Sequence, residues 1–89
     1  MTPSQRQTFK RQAHHLKPVI LVGAKGLTEA LVKETDIALE THELIKIKLN
    51  GLEKEDKQPF IDTLCTQVHA ELIQLMGNMA LVYRKAKNK

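Results

Sequence analysis

The chain has 89 residues and a net charge of +4, with 42% apolar and 27% charged residues. These are the size and proportions of one globular domain, not of a disordered or fibrous chain. A single cysteine excludes an internal disulfide. Apolar runs such as Val19 to Val22 are far shorter than the roughly 18 residues of a membrane span, and the polar, basic N-terminus shows no signal-peptide pattern. We therefore expect a cytoplasmic protein without a membrane partner.

Basic residues are distributed unevenly along the chain. Residues 1–28 contain five basic residues and no acid, and residues 84–89 contain four basic residues and no acid. All ten acids lie in residues 29–83, beside five basic residues. This asymmetry indicates a polyanionic partner, with nucleic acid as the first candidate. The alternative is a basic surface that only keeps the protein soluble.

The first predicted element is a helix, with Ser4 as N-cap and Gln7 as its capping-box partner. Phe9, Ala13 and Leu16 recur at helical spacing and form its predicted buried stripe. Beside that stripe lies a predicted basic one, composed of Arg6, Lys10, His14 and Lys17. Such a helix can pack on the domain and still face a phosphate backbone.

A strand and a second helix are predicted next. Pro18 ends the first helix, and the continuous apolar run 19–22 predicts a strand covered on both faces. Residues 23–26 form a predicted tight turn. Thr28 is the expected N-cap of a helix that reaches about Leu39.

The segment Leu44 to Leu49 alternates with period two, which predicts a strand with Lys46 and Lys48 on the face opposite its apolar residues. A third helix is expected to begin between residues 53 and 56. Pro59 favours the later start or a kink, because proline is best tolerated in a first turn. The predicted core stripe of this helix is Phe60, Ile61, Leu64 and Val68.

Residues 72–76 and 79–84 are predicted strands, joined by the hairpin signal Gly77-Asn78. The fold class is therefore α/β: a single compact domain of order α-β-α-β-α-β-β with a four-stranded mixed sheet. We place the domain at residues 1–84 and a frayed basic tail at residues 85–89.

The strongest candidate site is the loop Gly23-Ala24-Lys25-Gly26 between a strand and a helix. Glycines permit close backbone approach, and a helix start presents unpaired N–H groups to an anion. Lys25 adds a positive charge. The G-x-x-G pattern alone also fits a plain turn, but here it coincides with the acid-free segment. We expect the flanking contacts to come from Arg6, Lys10, Arg11 and Lys17.

Other kinds of site have little support in the sequence. Phe9 and Phe60 occupy predicted core positions, which leaves Tyr83 as the one stacking candidate, and core packing fits its position at least as well. We therefore expect contacts mainly with phosphate and sugar. The histidines and Cys65 show no metal-binding spacing, and Ser4 is explained as a cap. We predict no enzyme activity, no cofactor, no metal and no small-molecule substrate.

Several blocks together resemble the bacterial YhbY type of CRM (chloroplast RNA splicing and ribosome maturation) domain: residues 16–19, 23–29, 42–48, and Gly77 with residues 81–84. The resemblance implies an RNA-binding domain similar in fold to the C-terminal domain of a bacterial translation initiation factor. It also implies that loop 23–26 contacts RNA, with Lys25 as its charged member, and that the protein acts in assembly of the large ribosomal subunit.

The function predicted from the sequence is therefore binding of structured ribosomal RNA through the G-x-x-G loop and the basic surface. The alternative is a protein-interaction module that docks on an acidic ribosomal protein or assembly factor, because both partners attract the same basic surface. Whether Lys46 and Lys48 extend that surface depends on the fold.

Overall fold

A computed structural model describes residues 2–23 and 25–86 of the chain. The predicted order of helices and strands is confirmed. The elements are α1 (Pro3–Ala13), β1 (Pro18–Val22), α2 (Glu29–His42), β2 (Leu44–Leu49), α3 (Lys54–Val68), β3 (Glu71–Met76) and β4 (Met79–Tyr83).

The four strands form one mixed sheet in the order β1-β2-β4-β3. β1 pairs with β2 in parallel, and β4 pairs antiparallel with both β2 and β3. This confirms the predicted sheet and its C-terminal hairpin. It also makes β1 and β3 the two edge strands, a fact that decides where the candidate site residues lie.

Helices α2 and α3 cover one face of the sheet and enclose the main core. The predicted alternation of β2 is confirmed, since Ile45, Ile47 and Leu49 all point into this core. The predicted stripe of α3 supplies Ile61, Leu64 and Val68, while Phe60 is only partly buried. Burial of these side chains is the main force that holds the helices to the sheet.

Helix α1 packs on the opposite face, against β3 and β2. It contributes to a second, smaller cluster with Leu44, Ile73 and Leu81, in which the Phe9 and Tyr83 rings stack with their centroids 4.3 Å apart. The sheet therefore has one fully covered face and one partly covered face.

The beginning and end of α1 differ from the sequence prediction. The N-cap is Thr2, not Ser4: the Thr2 hydroxyl accepts from the Gln5 N–H (3.2 Å), and the Gln5 side chain accepts from the Thr2 N–H (3.0 Å). Pro3 explains the shift, because proline favours the first helical position and so places the cap one residue earlier. Since the helix ends at Ala13, Lys17 is not part of a helical stripe.

The prediction that β1 is covered on both faces is wrong. Ile20 and Val22 are buried under α2, but Val19 is 46% exposed and Leu21 is 61% exposed. The apolar run suggested burial on both sides, but β1 is an edge strand beyond the part of the sheet on which α1 packs.

Two helix details also depart from expectation. α2 continues to His42 and is ended by Glu43, which has a φ of +64°. α3 begins at Lys54, inside the predicted window, and Pro59 lies in its second turn, not its first. The missing proline N–H leaves the Glu55 carbonyl without its helical donor, but both residues are exposed, so water can take that role.

The segment after β4 is packed on the domain as far as Ala86, two residues past the boundary predicted at 84. Arg84 is buried and donates to the Val68 carbonyl (2.8 Å) and to Asp36. Ala86 is also buried, with its N–H donating to the Glu43 carboxylate (2.8 Å). The rest of the predicted tail, residues 87–89, lies outside the described residues.

Candidate nucleic-acid interface

The loop after β1 is an exposed turn. The Gly26 N–H donates to the Gly23 carbonyl (3.1 Å), and Gly26 has a φ of +68°, which favours glycine. Gly23 and Lys25 are exposed and Gly26 is half-buried. Ala24, the fourth predicted loop residue, lies outside the described residues. The loop can therefore be reached by a large ligand.

The start of α2 adds hydrogen-bond donors beside this loop. The Thr28 hydroxyl accepts from the Leu31 N–H (3.1 Å), and the Thr28 carbonyl accepts from the Val32 N–H (3.0 Å), which confirms the predicted N-cap. The N–H groups of Glu29 and Ala30 have no partner within residues 2–23 and 25–86. These two donors can meet an anion at the positive end of the helix dipole, whereas the Gly26 N–H is already used within the turn.

Arg6 is bound within the domain. It donates to the carbonyls of Leu72 (3.1 Å) and Ile73 (3.2 Å), and it lies 3.7 Å from the Glu71 carboxylate. These partners belong to β3, the sheet edge opposite β1. Three strand spacings of about 4.8 Å separate those two edges, so the structure does not bring Arg6 to the loop.

The other three predicted flanking cations are spread over the side of the sheet on which α1 packs. Lys17 precedes β1, about 20 Å along the strand from the loop that follows it. Lys10 lines a groove between α1 and the sheet, and Arg11 is exposed on α1. These residues do not form one cluster around Lys25.

The groove contains a cation that sequence reasoning did not assign to the site. Lys46 of β2 lines it together with Lys10, and Lys48 lies on the same face of β2. Leu21 of β1 pairs with Lys48 in the sheet register, and it precedes Gly23 by two residues. The sheet face that carries these lysines therefore adjoins the loop. The alternating pattern of β2 predicted both lysines on one face of that strand. Only the order of the strands in the sheet shows that this face lies beside the loop.

Most of these cations have no acidic partner. Within the described part of the chain, the ion pairs join Arg6 to Glu71 and Arg84 to Asp36 and Glu40. None of them uses the remaining candidate cations, which are Lys10, Arg11, Lys17, Lys25, Lys46 and Lys48. Their charge is available to an external anion.

The stacking candidate Tyr83 packs in the second cluster, where its ring stacks on that of Phe9 with the centroids 4.3 Å apart. This agrees with the core-packing alternative and not with base stacking.

Cys65 is buried, and this burial, with a smaller contribution from Asp62, raises the pKa of its thiol to about 11. The thiol is therefore neutral near pH 7 and unsuited to act as a nucleophile.

Within residues 2–23 and 25–86, no group of three or more His, Cys, Asp or Glu side chains is arranged to hold a metal ion. In the same part of the chain, none of the helices is both long enough and apolar enough to cross a membrane.

Comparison with known proteins places the chain in a family. The CRS1 / YhbY (CRM) domain matches residues 1–84. The chain belongs to the CRS1 / YhbY family. This confirms the resemblance noted in the sequence.

Two relatives of this CRM domain are similar over most of their length. The "Probable RNA-binding protein PA4753" of Pseudomonas aeruginosa is 48% identical over 96% of this chain and 82% of its own. An "RNA-binding protein" of Haemophilus influenzae is 38% identical over 98% of this chain and 88% of its own. These relatives are named for RNA binding and not as enzymes, in agreement with the prediction that this chain is not an enzyme.

A solved structure agrees with the fold of this CRM domain. The solution structure of the hypothetical protein SAV1595 from Staphylococcus aureus matches with a TM-score of 0.83 at 32% identity. The match covers 98% of this chain and 91% of that one.

Proposed function

We propose that this CRM domain binds RNA, with loop 23–26 and the start of α2 as the main phosphate contact. The observation that carries the proposal is the exposed turn that presents Lys25 beside the unpartnered N–H groups of Glu29 and Ala30. The names of the relatives support RNA as the anion.

The other predicted cations contribute to RNA binding from positions away from the loop. Lys10, Arg11 and Lys17 lie outside the loop and can neutralise further phosphates of a longer RNA. Arg6 holds α1 on β3, and its side chain is still 39% exposed. In this proposal Arg6 therefore adds to the positive potential and is not part of the loop site.

We further propose that the RNA is large-subunit ribosomal RNA, bound in the cytoplasm during assembly of the subunit. The support is the family resemblance together with the basic surface. No aromatic stacking platform lies at the loop among the described residues, which fits contact there mainly with the RNA backbone.

Lys25→Glu tests the loop. We expect the variant to bind protein-free large-subunit rRNA more weakly, and the slope of log affinity against log salt to fall by about 0.7–0.9 for each phosphate that the variant no longer neutralises. The measurement is a fluorescence titration at several salt concentrations. The matched control is Lys85→Glu, because Lys85 follows β4 and lies at the sheet end opposite the loop. Equal losses of affinity in both variants, or none in Lys25→Glu, would contradict a phosphate contact at the loop.

The ribosomal assignment has its own test. Crosslinking in cells followed by RNA sequencing is expected to recover large-subunit rRNA. Recovery of messenger or transfer RNA would overturn that assignment and leave RNA binding intact. Binding to assembly particles without binding to protein-free rRNA would instead favour the alternative, a module that docks on an acidic ribosomal protein or assembly factor.

A further inference from the structure

The partly covered face of the sheet has an area that α1 leaves open. Four residues form one cross-strand row in the register of the sheet: Leu21, Lys48, Met79 and Met76. Val19 and Lys46 lie beside the row on the same face. We call these six residues the open sheet face.

The open sheet face exposes several large apolar side chains. Met76 is 65% exposed, Leu21 is 61% exposed and Val19 is 46% exposed. Exposed apolar residues that share one surface of a small domain indicate a surface that is covered by a partner. Phosphate contacts alone do not account for them, because a phosphate gains nothing from an aliphatic side chain.

The same face is positively charged. Lys46 and Lys48 lie between the apolar side chains of neighbouring strands. Lys10 of α1 and its C-cap residue His14 border the groove. No acidic side chain lines this groove among the described residues. The partner must therefore combine flat or apolar groups with negative charge. A second copy of this chain fits poorly, because it would place like charges against each other.

We infer that the open sheet face binds the bases of an unpaired RNA segment that continues from the phosphate contact at the loop. The inference rests on the proposed function. Apolar side chains, including the polarisable thioethers of Met76 and Met79, can pack on base faces, while Lys46 and Lys48 meet phosphates between them. A base-paired helix keeps its base faces stacked inside, so it would leave the apolar side chains uncovered.

The dimensions of the fold agree with one continuous RNA path. Leu21 lies two residues before Gly23, which limits their separation to about 7 Å. The row from Leu21 to Met76 crosses three strand spacings, about 14 Å in total. A four-stranded sheet in RRM domains accommodates two or three bases. The open sheet face therefore has room for a few nucleotides next to the loop.

The double variant Leu21→Ser/Met76→Ser tests this inference without a change in charge. Both side chains are exposed, so the fold is expected to persist. We expect the affinity for a single-stranded 12-nucleotide oligouridylate to fall about tenfold, which corresponds to about 1.4 kcal/mol, because the variant loses two apolar contacts to bases. The affinity for a 12-base-pair RNA duplex and the salt slope for both RNAs are expected to stay unchanged.

Ile37→Ser is the matched control, because Ile37 is 58% exposed but lies on α2, on the other side of the molecule. It removes the same kind of side chain and is expected to change neither affinity. A second variant, Lys48→Gln, should lower the salt slope for the oligouridylate by about 0.7.

The outcomes separate the inference from the proposed function. Wild-type affinity of the double variant for the oligouridylate, or an equal loss of affinity for oligouridylate and duplex, would overturn base binding at this face. A wild-type dimer in sedimentation that becomes monomeric in the double variant would assign the face to self-association and also overturn it. A wild-type protein that binds protein-free large-subunit rRNA but not the oligouridylate would also overturn base binding at this face, whereas one that binds none of these RNAs would refute RNA binding itself. Weaker oligouridylate binding by the double variant, with no effect of Lys25→Glu, would support the open sheet face and refute the loop as a phosphate contact.

Discussion

Gly26 is the residue in the candidate site whose backbone requires glycine. Its φ of +68° lies in the left-handed region, and its N–H closes the turn by donating to Gly23. Gly23 differs, because its φ is outside that region. A Cβ atom at either glycine would have no other atom within 4 Å. The two positions therefore differ in backbone conformation and not in the space available to a side chain.

Gly26→Ala is therefore expected to lower the free energy of unfolding by about 1–2 kcal/mol through backbone strain alone. Gly23→Ala is the control and is expected to leave it unchanged. Urea unfolding followed by circular dichroism measures both. Similar midpoints for the two variants would show that the positive φ of Gly26 carries no cost.

At the scale of the element, Arg6 helps to fix α1 on the sheet. Its guanidinium donates to two carbonyls of β3, which is an edge strand of the sheet, and approaches the Glu71 carboxylate. The pairing groups of an edge strand are otherwise left to solvent. The position of α1 in turn decides which part of the sheet stays open.

Arg6→Gln is expected to lower the free energy of unfolding by about 1 kcal/mol, the value of a typical hydrogen bond within a protein. Arg11→Gln, on the same helix but exposed, is the comparison and should unfold like the wild type. For RNA binding we expect the opposite ranking of the two variants: Arg11→Gln should lower the slope of log affinity against log salt more than Arg6→Gln does. Equal unfolding midpoints for the two variants would argue against a structural role for Arg6.

At the scale of the whole molecule, the two faces of the sheet differ in burial. Ile47 is fully buried between the sheet and the helices, whereas Leu21 on the neighbouring strand faces outward. The same chemical change therefore has very different costs on the two faces. This asymmetry leaves one face available to a partner while the other holds the domain together.

We expect Ile47→Ala to lower the free energy of unfolding by about 2–5 kcal/mol, because it leaves a cavity in the main core. Leu21→Ala should change it by less than about 0.5 kcal/mol, as is usual for exposed positions. Thermal or urea unfolding distinguishes the two readily. A large destabilisation by Leu21→Ala would mean that the outer face of β1 is packed in solution.

The order of elements, the mixed sheet, the inward face of β2 and the Thr28 cap were all predictable from the sequence. Each depends on local patterns: period two, helical spacing, capping residues and the Gly77-Asn78 turn. The predictions of the α1 cap and of the burial of β1 were wrong because the local sequence pattern was compatible with two structures in each case. Pro3 allowed a cap at Thr2 or at Ser4, and an apolar strand could be covered on one face or on both.

The amino-acid sequence by itself determined which residues form helices and strands, and it marked the glycine-bounded loop with its lysine. Only the tertiary structure decided that Arg6 is held at one edge of the sheet and the loop lies at the other, and that Lys46 and Lys48 lie on a face that adjoins this loop. The physical reason is that neighbours across a sheet are set by strand order and by where the helices pack. These depend on contacts between residues far apart in the chain, which local periodicity does not encode.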